Sequence, residues 1–152
     1  MQMNFLKASR PAPESGNATT DADADFMFML DGYRASGGIV RADEMPSVLR
    51  SQHGAEIKDI ARWIAARHVV YLYWAGNYWL PAFQFDRHDR QPKRELRPIL
   101  AQLAPAFDEW DTAVWFSRPN PWLSGEVPAN LLSSHATDVE EAARADRFAR
   151  RG

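Results

Sequence analysis

The spacing of apolar and polar positions divides the chain into short helices around one β-rich run. Phe26, Met29, Leu30 and Tyr33 recur at i, i+3, i+4 and i+7, which marks one face of a helix beginning near Asp25. Asp21, Asp23 and Asp25 suit the positive end of its dipole, and Ser36-Gly37-Gly38 ends it. Residues 42–52 read as a short helix with Pro46 in its first turn, where a missing N–H costs little, and Gly54 breaks it. Residues 55–67 give a second helix, with Ile57, Ile60, Ala61 and Ile64 inward and Lys58, Asp59, Arg62 and Arg67 toward solvent. Two helices so closely spaced suggest a helix-turn-helix. Val69–Trp74 and Tyr78–Leu80 are β-rich and are separated by Ala75-Gly76-Asn77, which predicts a hairpin placed like a wing.

The second half reads as helical. Between Arg87 and Arg97 stand five basic and two acidic residues, the pattern of an exposed linker running into a helix. Leu96, Ile99, Leu100 and Leu103 restore helical spacing, with Pro98 early and Pro105 at the end. Asp108 caps the next helix, in which Trp110, Val114 and Phe107 point inward. Beyond Trp115 and Phe116 the chain meets Pro119, Pro121, Gly125 and Pro128, which together specify a shaped connector between helices. Asp138 is the expected N-cap of a last helix, Val139 to about Arg150, with Glu140 and Glu141 early and Arg147, Arg150 and Arg151 late. Residues 1–20, rich in Pro, Ser, Gly, Asn and Thr, have the composition of a poorly ordered tail. The expected organisation is therefore the tail at 1–20, a helix plus a winged helix-turn-helix-like module at 21–86, and a helical domain at 87–152.

Composition narrows the chemistry. The 152 residues are 45% apolar and 25% charged, an ordinary globular balance that can form one domain or two modules sharing a core. A net charge of −2 gives no global drive toward nucleic acid or an anionic membrane, so DNA binding would need a local patch. With no cysteine there is no disulfide framework, thiol nucleophile or thiolate metal site, which fits a cytoplasmic location. No run approaches the roughly 18–20 apolar residues that span a bilayer, so neither signal peptide nor membrane anchor is expected.

No nucleophile elbow, phosphate-cradling Gly-rich loop, zinc-protease helix or Ca²⁺ loop is present in the sequence, and no catalytic residue, metal site or cofactor is predicted. Asp86-Arg87-His88-Asp89 has metal-ligand chemistry, but its basic neighbours favour a solvated loop, and His53, His68 and His135 stand singly. Trp74 and Trp79 flank the hairpin turn, where aromatic pairing stabilises the sheet. Trp110 and Trp115 read as core, whereas Trp122, in a Pro-rich connector, reads as an interface anchor. For DNA, Lys58, Arg62 and Arg67 form a candidate basic stripe. Residues 39–81 carry five basic and four acidic side chains, and a degenerate helix-turn-helix serving only as a scaffold stays open.

Trp115, Pro119-Asn120, Leu123-Ser124-Gly125 and Pro128-Ala129-Asn130-Leu131-Leu132 resemble the toxin-binding domain of Xre/MbcA/ParS-type antitoxins. There a tryptophan-bearing helix precedes a Pro-Asn turn, a Leu-x-Gly and a Pro-x-x-Leu-Leu. Pro81-Ala82-Phe83-Gln84-Phe85-Asp86 resembles the link that joins a winged or MerR-like helix-turn-helix to that domain. The likeness spans residues 38–148, with Asn130 and Ser124 departing from the charged or Gly residues usual there. The residues predict a mainly α fold with one β-hairpin, and the resemblance implies a homodimer that inhibits a RES-domain toxin, an enzyme consuming NAD or transferring ADP-ribose. Operator DNA is a possible second partner. Trp122, Leu123, Arg144, Arg147, Phe148 and Arg150 are the expected toxin contacts, the arginines because guanidinium groups suit a cleft that binds pyrophosphate. Two other readings are a DNA-binding transcriptional regulator with a C-terminal sensor or interaction domain, and an enzyme of unrecognised type.

Overall fold

The computed structural model describes residues 20–49 and 57–151. The expected tail, the end of the 42–52 helix and the start of the 55–67 helix, with the turn between them, fall outside the described residues.

The chain is mainly helical around a small antiparallel sheet. Strands β1 (Ile39–Arg41), β2 (Leu72–Trp74) and β3 (Asn77–Pro81) lie in the order β1-β3-β2. The expected hairpin is thus joined by a further strand, since Val40 pairs with Leu80 on the edge that β2 leaves open. The hairpin turn is Ala75-Gly76, both with positive φ (52° and 80°), the two-residue geometry whose twist matches its strands. Val69–Tyr71, read as strand, is not paired into the sheet. Its hydrogen bonds go to the buried Gln84 amide: Val70 N–H donates to Oε1 at 2.6 Å and Nε2 donates to the Val70 carbonyl at 2.8 Å. One side chain does the work of a neighbouring strand there.

Side-chain alternation in the sheet separates two cores. Leu80 faces Met45, Ile60, Trp63, Ile64 and Phe85, contributed in part by helices α2 (Met45–Leu49) and α3 (Ile57–Ala65). Leu72 and, half-buried, Trp79 face the larger core of α1 (Asp21–Gly32), α4 (Leu96–Leu103), α5 (Glu109–Ser117), α6 (Pro128–Leu131) and α7 (Ala136–Arg151). Both α2 and α3 are short helices on the first face, and the residues that would define a helix-turn-helix between them are outside the described set.

Helix α1 starts earlier than Asp25 because Thr20 and Asp23 form a reciprocal capping box. Phe26, Met29 and Tyr33 are buried as expected, but Leu30 is 37% exposed. The inward face is rotated toward Gly32, which lies so close to α5 that an added Cβ would sit 2.1 Å from the Ser117 carbonyl oxygen. The Tyr33 hydroxyl donates to the Ala113 carbonyl, and Asp25 accepts from Trp110 Nε1 (3.0 Å) and Arg118 (2.9 Å). Helix α1 therefore shares the core of residues 96–143, although it stands in sequence with the module at 21–86.

In the second half Asp108 caps α5 by accepting from the Asp111 N–H, and Phe107, Trp110, Trp115 and Phe116 are buried, Val114 only partly. Helix α7 starts at Ala136, not Val139: the His135 N–H donates to Leu131 O and Val139 N–H to His135 O. Helical bonding thus begins before Asp138, which sits in the first turn instead of at the cap.

Candidate partner-binding groove

After Ser117 the chain turns extended at Arg118 and enters a closed loop at Asn120. The Asn120 N–H donates to Glu126 O (3.0 Å), and the Gly125 N–H to Asn120 O (2.9 Å). Inside this loop Pro121–Leu123 makes one tight helical turn, capped by the Asn120 side chain accepting from the Trp122 N–H at 2.8 Å. Ser124 (φ 56°) and Gly125 (φ 84°) then take the left-handed conformation that reverses the chain, which Gly adopts without strain. Pro128 starts α6, where its missing N–H has no helical partner to lose.

The loop is fastened to α7 by a single carboxylate. Asp146 Oδ2 accepts from Trp115 Nε1 (2.7 Å) and Asn120 Nδ2 (2.8 Å), and Oδ1 accepts from Trp122 Nε1 (3.1 Å). Trp115 and Asn120 are buried, so their N–H groups would be costly without that acceptor. Trp122 is 65% exposed, with its indole edge held to Asp146 and its remaining surface open. Sequence reasoning missed Asp146; the signal was an isolated acid in the basic half of α7.

Between this loop and α7 runs a groove of about 780 Å³, walled by Trp122 and Leu131 on one side and by Asp138, Glu141, Ala142 and Ala145 on the other. Helical spacing carries the Glu141–Ala145 stripe on to Phe148, which is 62% exposed. Among the described residues no ion pair involves the lining acids Glu126, Asp138 or Glu141, so the groove has an acidic rim over a small-residue floor.

The sequence-predicted contact residues divide accordingly. Trp122 and Phe148 are exposed apolar groups, and Arg147 stacks over the Phe148 ring at 4.9 Å. Arg144 is exposed, with Glu140 at 3.8 Å. Leu123 is buried in the core and so anchors the loop instead of presenting a surface. Arg150 turns back onto the fold, bonding Asp111 at 2.9 Å and lying 4.4 Å over the Phe107 ring.

Lys58, Arg62 and Arg67 do not make one stripe. Lys58 and Arg62 are exposed one turn apart on α3, and Arg62 pairs with Asp59 at 2.6 Å. Arg67 lies beyond the helix in a left-handed turn (φ 57°) and reaches Glu109 of α5 at 3.4 Å. In the loop at 86–89, Asp86 Oδ1 accepts the backbone N–H groups of His88 (2.7 Å) and Asp89 (3.3 Å), and these bonds hold its carboxyl below the usual range. That carboxylate is committed to the turn.

Comparison with known protein families, curated proteins and solved structures finds no match to this chain.

Proposed function

We propose that this chain is an antitoxin of the kind its connector resembles, binding and inhibiting a RES-domain toxin through the groove between residues 121–131 and α7. The observation that carries the reading is Trp122: a large aromatic side chain exposed at the groove's edge and held in one orientation by Asp146. A pre-oriented aromatic loses little entropy on binding, and such residues dominate interface energetics. Phe148 extends the same apolar line, and the rim acids, which make no ion pair among the described residues, favour a partner segment carrying Lys or Arg. Arg144 and Arg147, in the second half of α7, are the guanidinium groups that would meet anionic groups of a nucleotide-binding cleft. Autoregulation at an operator is a secondary role for Lys58 and Arg62, and homodimerisation belongs to the same expectation.

The reading is tested by co-purifying the chain with the product of the adjacent gene and following NAD loss with and without it. A tight complex that stops NAD loss supports it. Absence of a complex, together with salt-dependent binding to the chain's own promoter, would favour the regulator reading instead.

A further inference from the structure

A second region, remote in sequence from the groove, combines an apolar cavity with a basic one. The first cavity, about 230 Å³, lies between the stretch 67–71 and the helices α4 and α5; Val70, Leu100, Ala104 and Phe107 give it a mainly apolar wall, and Asp108 and the Arg67–Glu109 ion pair also line it. An apolar cavity of roughly 150 Å³ holds a benzene ring, so this one accommodates a single substituted ring. The second, about 340 Å³, is walled by Trp63, Lys93, Arg94 and Arg97 together with Gln91 and Pro92, and no carboxylate lines it. His68 and Arg97 line both.

Beside the apolar cavity, two features of the basic one point to a ligand with two unlike ends. Arg97 donates to the Nδ1 of His68 at 3.2 Å, and among the described residues no carboxylate pairs with Arg97 or Arg94. Lys93 donates to Ser133 Oγ at 2.8 Å, and burial holds its ammonium below the usual lysine range, so an anion placed there would stabilise the charged form. Three cations around one chamber suit a dianion better than a monoanion.

We propose that the two cavities form one binding site for a small organic phosphate, with its ring in the apolar cavity and its phosphate on Lys93, Arg94 and Arg97. The site is separate from the partner groove and does not depend on the antitoxin reading.

The test is calorimetric titration of the full chain with phenyl phosphate, phenol and inorganic phosphate. Phenyl phosphate should bind at least about tenfold more tightly than either fragment. Arg97→Gln should bring phenyl phosphate down to the level of phenol. Ala101→Phe, at an exposed position lining the apolar cavity, should bring it down to inorganic phosphate while leaving inorganic phosphate itself unchanged. Thermal melting checks that both variants remain folded. Phenyl phosphate binding no better than inorganic phosphate, or unaffected by both substitutions, would overturn the proposal. So would no binding up to about 10 mM.

Discussion

Single side chains decide two of the features on which the molecule depends. Gln84 satisfies both backbone groups of Val70 and donates to Pro81 O at 2.9 Å, so Gln84→Leu would strand a buried N–H and C=O while keeping the volume. We expect it to cost about 3 kcal/mol in urea denaturation, and a loss below about 1 kcal/mol would mean that these groups find other partners. Asp23 gives a pH-dependent counterpart. The Trp74 indole N–H, followed by the Thr20 cap bonds, holds its carboxyl below the ordinary 3.8. A depressed folded value stabilises fully above the unfolded value, and the contribution is lost as pH falls through the folded one. Trp74→Phe should move the Asp23 titration, followed by NMR, back toward 3.8, and its stability deficit relative to wild type should shrink as pH falls below 3.8 and the wild-type carboxyl is protonated. Gln84 and Asp146 were illegible as structural hubs in the sequence because Val70 lies 14 residues from Gln84 and the partners of Asp146 lie 24–31 residues away, and no local pattern marks such pairings.

Elements were legible in proportion to how local their causes are. Helices α4 and α5 follow from apolar spacing, a proline stop and the Asp108 cap, all within one or two turns. Strand β1 has three residues and exists through its partner β3, so its own composition could not announce it. The unpaired run 69–71 carries the β-rich composition of a strand, but Gln84 takes the place of a neighbour. For α1 the period was clear and its phase was not, because the phase is set by the close approach of Gly32 to Ser117. Gly32→Ala tests that contact: a methyl 2.1 Å from a backbone oxygen forces the helices apart. Overpacking of about 1–3 kcal/mol should exceed the gain in helix propensity of up to about 1 kcal/mol, giving a net loss on thermal or chemical denaturation. Unchanged or raised stability would show that α1 can shift without loss.

At the scale of the whole molecule, the sheet separates a small core under α2 and α3 from a large one that ties α1 to the C-terminal helices. The connector at 119–128, conspicuous in the sequence for its prolines and glycine, was readable as a shaped turn. The outward placing of Trp122 was readable too, but that of Leu123 was not, because Leu123 is drawn into the core while its neighbour Trp122 is held at the surface by α7. Arg150 likewise looked free among the basic residues of the last helix and is spent on Asp111 and Phe107. The outward residues that are left, Trp122 and Phe148 beside an acid-rimmed groove, are the basis of the proposed toxin contact. The most direct measurement is the affinity of the adjacent gene's product for the wild-type chain and for Trp122→Ala, with thermal melting as the control for folding. The account predicts a complex that the substitution weakens by at least about 2 kcal/mol, roughly thirtyfold, with restored NAD loss and little change in melting. Equal affinity of the two chains, or no complex with either, would contradict it.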